Sequence, residues 1–202
     1  MEITVPEYKI LPEVKLDPRA TALVVGDMQV DFVSPRGKLC VPEARKTIPK
    51  ILHLISKARR ANSPIFFVQD WHRSDDPEFS LWPPHTVAGT PGAKVVSQLK
   101  PMSVDFFIHK KTYDPFFGTE FSLLLRQKGI RTLVITGTVA NICVLHSVGS
   151  AYLRGYEVVV PEDAISSLIP FDQAAALRQI SFVYKGKITR AAGIKFLDNV
   201  RV

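Results

Sequence analysis

Apolar residues recur along the chain in two rhythms. Short runs rich in β-branched residues, ATALVVG, PIFFVQD, DFFIHK, TLVITG and EVVVPEDA, are bounded by turn-forming residues and read as strands. Between them lie segments with apolar positions three and four residues apart, which predict helices. The clearest covers residues 48–61, where Ile48, Ile51, Leu52 and Ile55 share one face; others fall near 120–128, 141–154 and 171–180. Strand–helix alternation predicts an α/β fold. The unbroken apolar character of the strands predicts a sheet covered on both faces, hence mainly parallel. The expected architecture is a single-domain, three-layer α/β/α, Rossmann-like unit spanning residues 1–202, with no repeat or linker. Residues 168–202 are expected to add one helix and a basic ending. Residues 1–18, with Ile3, Val5, Tyr8, Ile10 and Leu11, form an extended segment that packs either on a neighbouring subunit or on its own sheet.

Composition narrows the picture. A chain of 202 residues, 46% hydrophobic and 22% charged, has enough apolar material for one core and excludes a disordered or fibrous class. No run approaches the roughly 18 apolar residues a membrane span needs, and MEITVPEYKILPEV lacks the pattern of a secretory leader. A cytoplasmic protein without membrane association is expected. Two cysteines, Cys40 and Cys143, do not make a disulfide framework. The net charge of +7 permits nucleic-acid binding. However, Arg45, Lys46, Lys50, Lys57, Arg59 and Arg60 cluster on the polar side of the first helical segment, and they read as a solvated face. No nucleic-acid partner is expected.

Candidate chemistry sits where strands end, the edge at which open parallel sheets bind ligands. Asp27 follows LVVG, Asp70 and His72 follow FFVQ, Lys110 follows FFIH, and Cys143 comes shortly after VITG. Parallel strands would bring these scattered residues together. The turn into the next helix would favour a thiolate at Cys143, although a free cysteine is also a common inert core residue. A carboxylate such as Asp27 can take a thiol proton and pass it to a leaving amine; it can also merely cap a turn. A lysine beside them would stabilise both anions, and spacing does not choose between Lys110 and Lys111. The longest irregular stretch, residues 71–92, carries His72 and His85, and loops of that length inside a domain are usually functional. With Asp70 these histidines make a donor set suited to Zn²⁺, Mn²⁺ or Fe²⁺, or are surface histidines in a polar loop. Glu78 is a further candidate ligand or a solvated acid.

Five ordered segments, VVGDMQVDF, DWHRSDDPEF, WPPHTVAGTPGA, KKTYDPFFGTEF and GTVANICV, resemble the successive signatures of the isochorismatase-like cysteine hydrolases, over about residues 20–165. The second and third resemble the nicotinamidase branch in particular. The resemblance implies a catalytic triad of Asp27, Lys110 and Cys143 and a divalent metal, zinc first, held by Asp70, His72 and His85. It selects Lys110 over Lys111 by the spacing to Tyr113. It implies a pocket lined by Phe32, Trp82 and Tyr113, and a cis peptide at Thr138-Val139 that aims the backbone N–H groups of Val139 and Cys143 at an oxyanion. It also implies a homo-oligomer, a dimer or larger. Asp114, Pro115, Ala140 and Thr86 depart from the family pattern near the inferred pocket, and Asp114 either adds a charge there or points to solvent.

The implied function is hydrolysis of a small amide, nicotinamide to nicotinate and ammonia, through a thioester on Cys143. The alternative is another carbon–nitrogen hydrolase acting on a carbamoyl or ureido group. Vinyl-ether cleavage, as by an isochorismatase, and a non-catalytic binding module rank behind both.

Overall fold

Side chains of alternate residues on a strand leave from opposite faces, so a strand buried throughout feeds two cores. Leu23 and Val25 join one apolar cluster with Ile51, Leu54 and Ile55, whereas Ala22 and Val24 join another with Phe121, Leu125, Val148 and Ile180. Each fully buried aliphatic side chain of this kind contributes about 1.5–3 kcal/mol. The layers they hold together are seen in a computed structural model that describes residue 4 and residues 6–197. Ile3 and Val5 lie outside the described residues.

The elements are β1 (Val14–Leu16), β2 (Thr21–Gly26), α1 (Val30–Val33), α2 (Ala44–Arg60), β3 (Ile65–Asp70), β4 (Phe106–Lys110), α3 (Phe121–Gln127), β5 (Thr132–Thr138), α4 (Leu145–Leu153), β6 (Glu157–Pro161), β7 (Ile165–Ser166), α5 (Pro170–Phe182), β8 (Lys187–Thr189) and β9 (Ile194–Phe196). The main sheet has the order β4-β3-β2-β5-β6-β8, with β7 also pairing β5, and every pairing is parallel. Helix α2 covers one face and α3, α4 and α5 cover the other. This is the α/β/α arrangement the apolar pattern predicts.

From the central β2–β5 pair the chain winds outward in both directions. The crevice beyond the carboxyl ends of β2 and β5 is therefore the switch point where such sheets take ligands. The two strands come close there. Gly26 and Gly137 are register partners, and a Cβ on Gly137, whose φ is 112°, would lie 1.9 Å from the Gly26 carbonyl oxygen.

Some elements differ from the sequence expectation. Helix α2 starts one turn earlier, because buried Ala44 and Thr47 extend its apolar stripe upstream of Pro49. The helix expected over 141–154 is a π-helical turn, Ala140–Val144, followed by α4. The basic ending contains β8 and β9, each three residues long and too short to show a pattern. Of the two destinations open to the first eighteen residues, the described part takes its own chain. The Leu11 N–H donates to the Ile188 carbonyl at 2.8 Å, and β1 pairs β9 in a separate two-stranded sheet.

Candidate active site

Asp70 and Lys110 end adjacent parallel strands and are register partners. Asp27 follows β2 directly with φ 54°, its N–H bonded to the Val68 carbonyl. Cys143 sits on the π-helical turn after β5. The four side chains meet out of water, with relative exposures of 1% for Asp27, 4% for Asp70, 1% for Lys110 and 7% for Cys143. The Lys110 ammonium lies 3.0 Å from Asp27 Oδ2 and 3.6 Å from Cys143 Sγ, and it donates to Asp70 Oδ1. Lys111, the competitor by spacing, is exposed.

Burial of three anionic groups around one cation sets their proton affinities. Burial and the neighbouring Asp70 push Asp27 up to about 7, against the pull of Lys110. Burial and Asp27 push the Cys143 thiol well above its usual range, with Lys110 opposing. Burial disfavours the Lys110 ammonium, but Asp27, Asp70 and Cys143 outweigh it and hold the lysine charged. The resting proton therefore stays on sulfur, with Asp27 as the nearby carboxylate able to accept it.

Beside this cluster, one donor atom each from Asp70, His72 and His85 lie within 4.8 Å of one another, all buried. His85 Nδ1 is 2.8 Å from the Pro83 carbonyl and donates to it, which leaves Nε2 with its lone pair free. Burial lowers the His85 pKa and favours that neutral form. His72 Nδ1 faces Asp76 Oδ2 at 3.2 Å, and among the described residues neither of its buried ring nitrogens makes a well-formed hydrogen bond, which leaves Nε2 open. Two imidazole nitrogens and a carboxylate converging in this way fit a divalent cation, with Asp76 orienting His72 as a carboxylate behind a metal-bound histidine does. Glu78 stands outside this set of mutually close donors but borders the adjoining cavity.

Asp27, Asp70, His85 and Cys143 lie on the wall of that cavity. Phe32, Trp82 and Tyr113 all border it. The Trp82 indole N–H donates to the Tyr113 hydroxyl at 3.1 Å, and the Phe32 ring lies 5.4 Å from that of His85. The Thr138-Val139 peptide is cis, and Val139 and Cys143 both border the cavity. Asp114 does not border it. One Asp114 oxygen accepts from the Phe116 N–H at 2.8 Å and the other from the Ser150 hydroxyl, so its charge is engaged by a turn and by α4.

Sequence reasoning passed over several residues that shape this site. Leu39, Cys40 and Val41 form one wall, and Ile142 and Leu168 contribute further apolar surface; nothing in the pattern separates them from ordinary core. Asp76 was legible as the capping aspartate before Pro77, four residues after His72. Asp31, in the VVGDMQVDF segment, accepts from the Thr86 N–H at 2.8 Å and the Lys38 N–H at 3.2 Å, joining the His85 arm to the wall carrying Cys40. Gln29 brackets Asp70 by accepting from its N–H and donating to its carbonyl.

Fold and site together define a Rossmann-like α/β protein with a buried cysteine–aspartate–lysine cluster at the switch point of its sheet. The family model for the isochorismatase domain matches residues 21–192, and the chain belongs to the isochorismatase family. Among solved structures it is similar to the N-carbamoylsarcosine amidase from Thermoplasma acidophilum, at 35% identity and TM-score 0.78 over 85% of this chain and 96% of that one. It is also similar to nicotinamidase PncA from Bacillus subtilis, at 28% identity and TM-score 0.80 over 85% and 99%. The pyrazinamidase of Pyrococcus horikoshii in complex with zinc is 32% identical with TM-score 0.76 over 89% and 99%. No helix among the described residues is long and apolar enough to cross a membrane.

Proposed function

We propose that the chain is a metal-dependent cysteine amidohydrolase acting on a small, uncharged, planar carboxamide of the nicotinamide type. The observation that carries this reading is the contact of the Lys110 ammonium with both Asp27 and Cys143 at the wall of an aromatic-lined cavity. Asp27 takes the Cys143 proton as Sγ attacks the amide carbon, and the Lys110 charge stabilises the thiolate. Backbone N–H groups of Val139 and Cys143 hold the oxyanion, where each donor is worth on the order of a hundredfold in rate. Asp27 returns the proton to the amide nitrogen, which leaves as ammonia, and water hydrolyses the thioester. Phe32, Trp82 and Tyr113 flank the substrate ring.

Asp70, His72 and His85 would hold the metal, zinc before manganese or iron. The likeness to a zinc-bound pyrazinamidase supports that assignment. A bound divalent ion would supply a Lewis acid for a substrate heteroatom or a water.

Carbamoyl and ureido compounds are the second substrate class, favoured by the likeness to an N-carbamoylsarcosine amidase. Charge argues for the first. Among the described residues the cavity wall carries neither a lysine nor an arginine, so no basic side chain of the wall pairs with a substrate carboxylate. Ammonia release should be compared for nicotinamide, pyrazinamide, an N-carbamoyl amino acid and a ureido acid. Faster turnover of the two acids would overturn the assignment of substrate class.

A further inference from the structure

Among the described residues, two buried hydroxyl groups near the end of β5 have no hydrogen-bond partner. Thr138, the last residue of β5, and Ser166, in β7, are each 1% exposed, and neither Thr138 Oγ1 nor Ser166 Oγ makes a hydrogen bond within the protein. They are register partners on parallel strands, so both side chains leave the same face of the sheet. That face is the one covered by α2, because Val134, two alternations earlier on β5, packs with Ile51 and Ile55. Nearby hydroxyls find partners: Thr136 donates to the Val24 carbonyl at 2.9 Å and Ser167 to the Ile169 carbonyl at 2.8 Å. An unpaired buried hydroxyl is costly, and two side by side mark a place built for a third polar group.

Access and size define that group. Thr138 borders the cavity that contains Cys143, whereas Ser166 is not among its lining residues. A molecule that enters from the cavity and pairs with both hydroxyls has to pass the wall at Thr138 and so must be very small, and the two hydroxyls offer it donors and acceptors without charge.

We propose that Thr138 and Ser166 form a water subsite that feeds hydrolysis of the Cys143 thioester. This rests on the amidohydrolase reading given above. In the step it serves, the water oxygen bonds to the thioester carbonyl carbon as the C–S bond breaks. The water proton passes to Asp27 and from there to Sγ, so the products are the carboxylic acid and the free thiol. Thr138 and Ser166 act as positioning residues for water in this step and take no part in attack by sulfur.

The two half-reactions are therefore affected differently. Using the fastest amide from the panel above, first-turnover ammonia release is measured by rapid quench, and the acylated fraction of protein at steady state by intact mass after acid quench. Ser166→Ala, off the cavity wall and outside the turn that carries the oxyanion donors, should leave first-turnover release unchanged, raise the acylated fraction and slow thioester decay by about tenfold, the effect of one lost positioning hydrogen bond. Thr138→Val should raise the acylated fraction in the same direction, and Thr138→Ser should restore the native decay. An acylated fraction no higher than native in both Thr138→Val and Ser166→Ala overturns the subsite. So does a slowed first turnover with native decay, which makes Thr138 a substrate contact. Native protein that releases ammonia without ever carrying an acyl group overturns the thioester reading itself, and the subsite with it.

Discussion

Lys110 and Asp70 are cross-strand neighbours at the ends of β4 and β3, and the lysine ammonium spans from the Asp70 carboxylate to Asp27 Oδ2 at 3.0 Å. One parallel ladder therefore joins the two halves of the site. Asp70 faces His72 with one oxygen and the lysine with the other, so the candidate metal ligands and the lysine beside the thiol share a side chain.

Removing the lysine charge leaves two buried carboxylates facing each other. Lys110→Met should destabilise the fold by about 3–5 kcal/mol, the cost of breaking a buried ion pair from one side. Urea denaturation measures this, and ammonia release should fall with it. A loss of only a few tenths of a kcal/mol would show that the lysine is not what offsets these charges.

Asp27 must be ionised to accept the thiol proton. Because burial raises its pKa, kcat/KM should rise through an acid limb centred above the ordinary carboxylate range and fall about tenfold per unit below its midpoint. The same raised value means the folded chain holds a proton that the unfolded chain has lost, so this group's contribution to stability is present at low pH and is lost as pH rises towards 7. Asp27→Asn should abolish turnover. A limb centred near the ordinary carboxylate range would contradict the role of burial and Asp70.

Chelation should remove one equivalent of divalent metal, measured by plasma mass spectrometry. His85→Ala should prevent reloading, and Asp76→Asn should weaken metal affinity about 10- to 100-fold through loss of the carboxylate behind His72. Unchanged amide affinity in the stripped protein would separate the metal from substrate binding while leaving the triad intact.

Gly137→Ala should fail to give soluble folded protein, or should lower stability by more than about 4 kcal/mol, because its Cβ collides with backbone in the central strand pair. A soluble variant with native circular dichroism and thermal midpoint would contradict the close approach of β2 and β5.

The strands that carry Asp27, Asp70 and Lys110 were legible because each is a continuous apolar run, and parallel pairing then sets the convergence of their ends. Cys143 was legible only through its turn and its company, since burial alone makes a free thiol look inert. Strands β8 and β9 were hidden, because three residues give no periodicity and their pairing partners, β6 and β1, are distant in sequence. Cys40 and Leu39 reach the cavity because Asp31 accepts the Lys38 N–H, a tertiary contact without a sequence signal. Asp114, a departure from the family pattern, looked able to bring charge into the pocket. Its hydrogen bonds to Phe116 and Ser150 account for it as a turn residue.

The most direct test of the account is ammonia release from nicotinamide by metal-loaded protein with Cys143 intact and with Cys143→Ala. The account predicts release by the first and a loss on the order of 10⁴-fold or more in the second, with the fold retained. Release by Cys143→Ala at the native rate would contradict it.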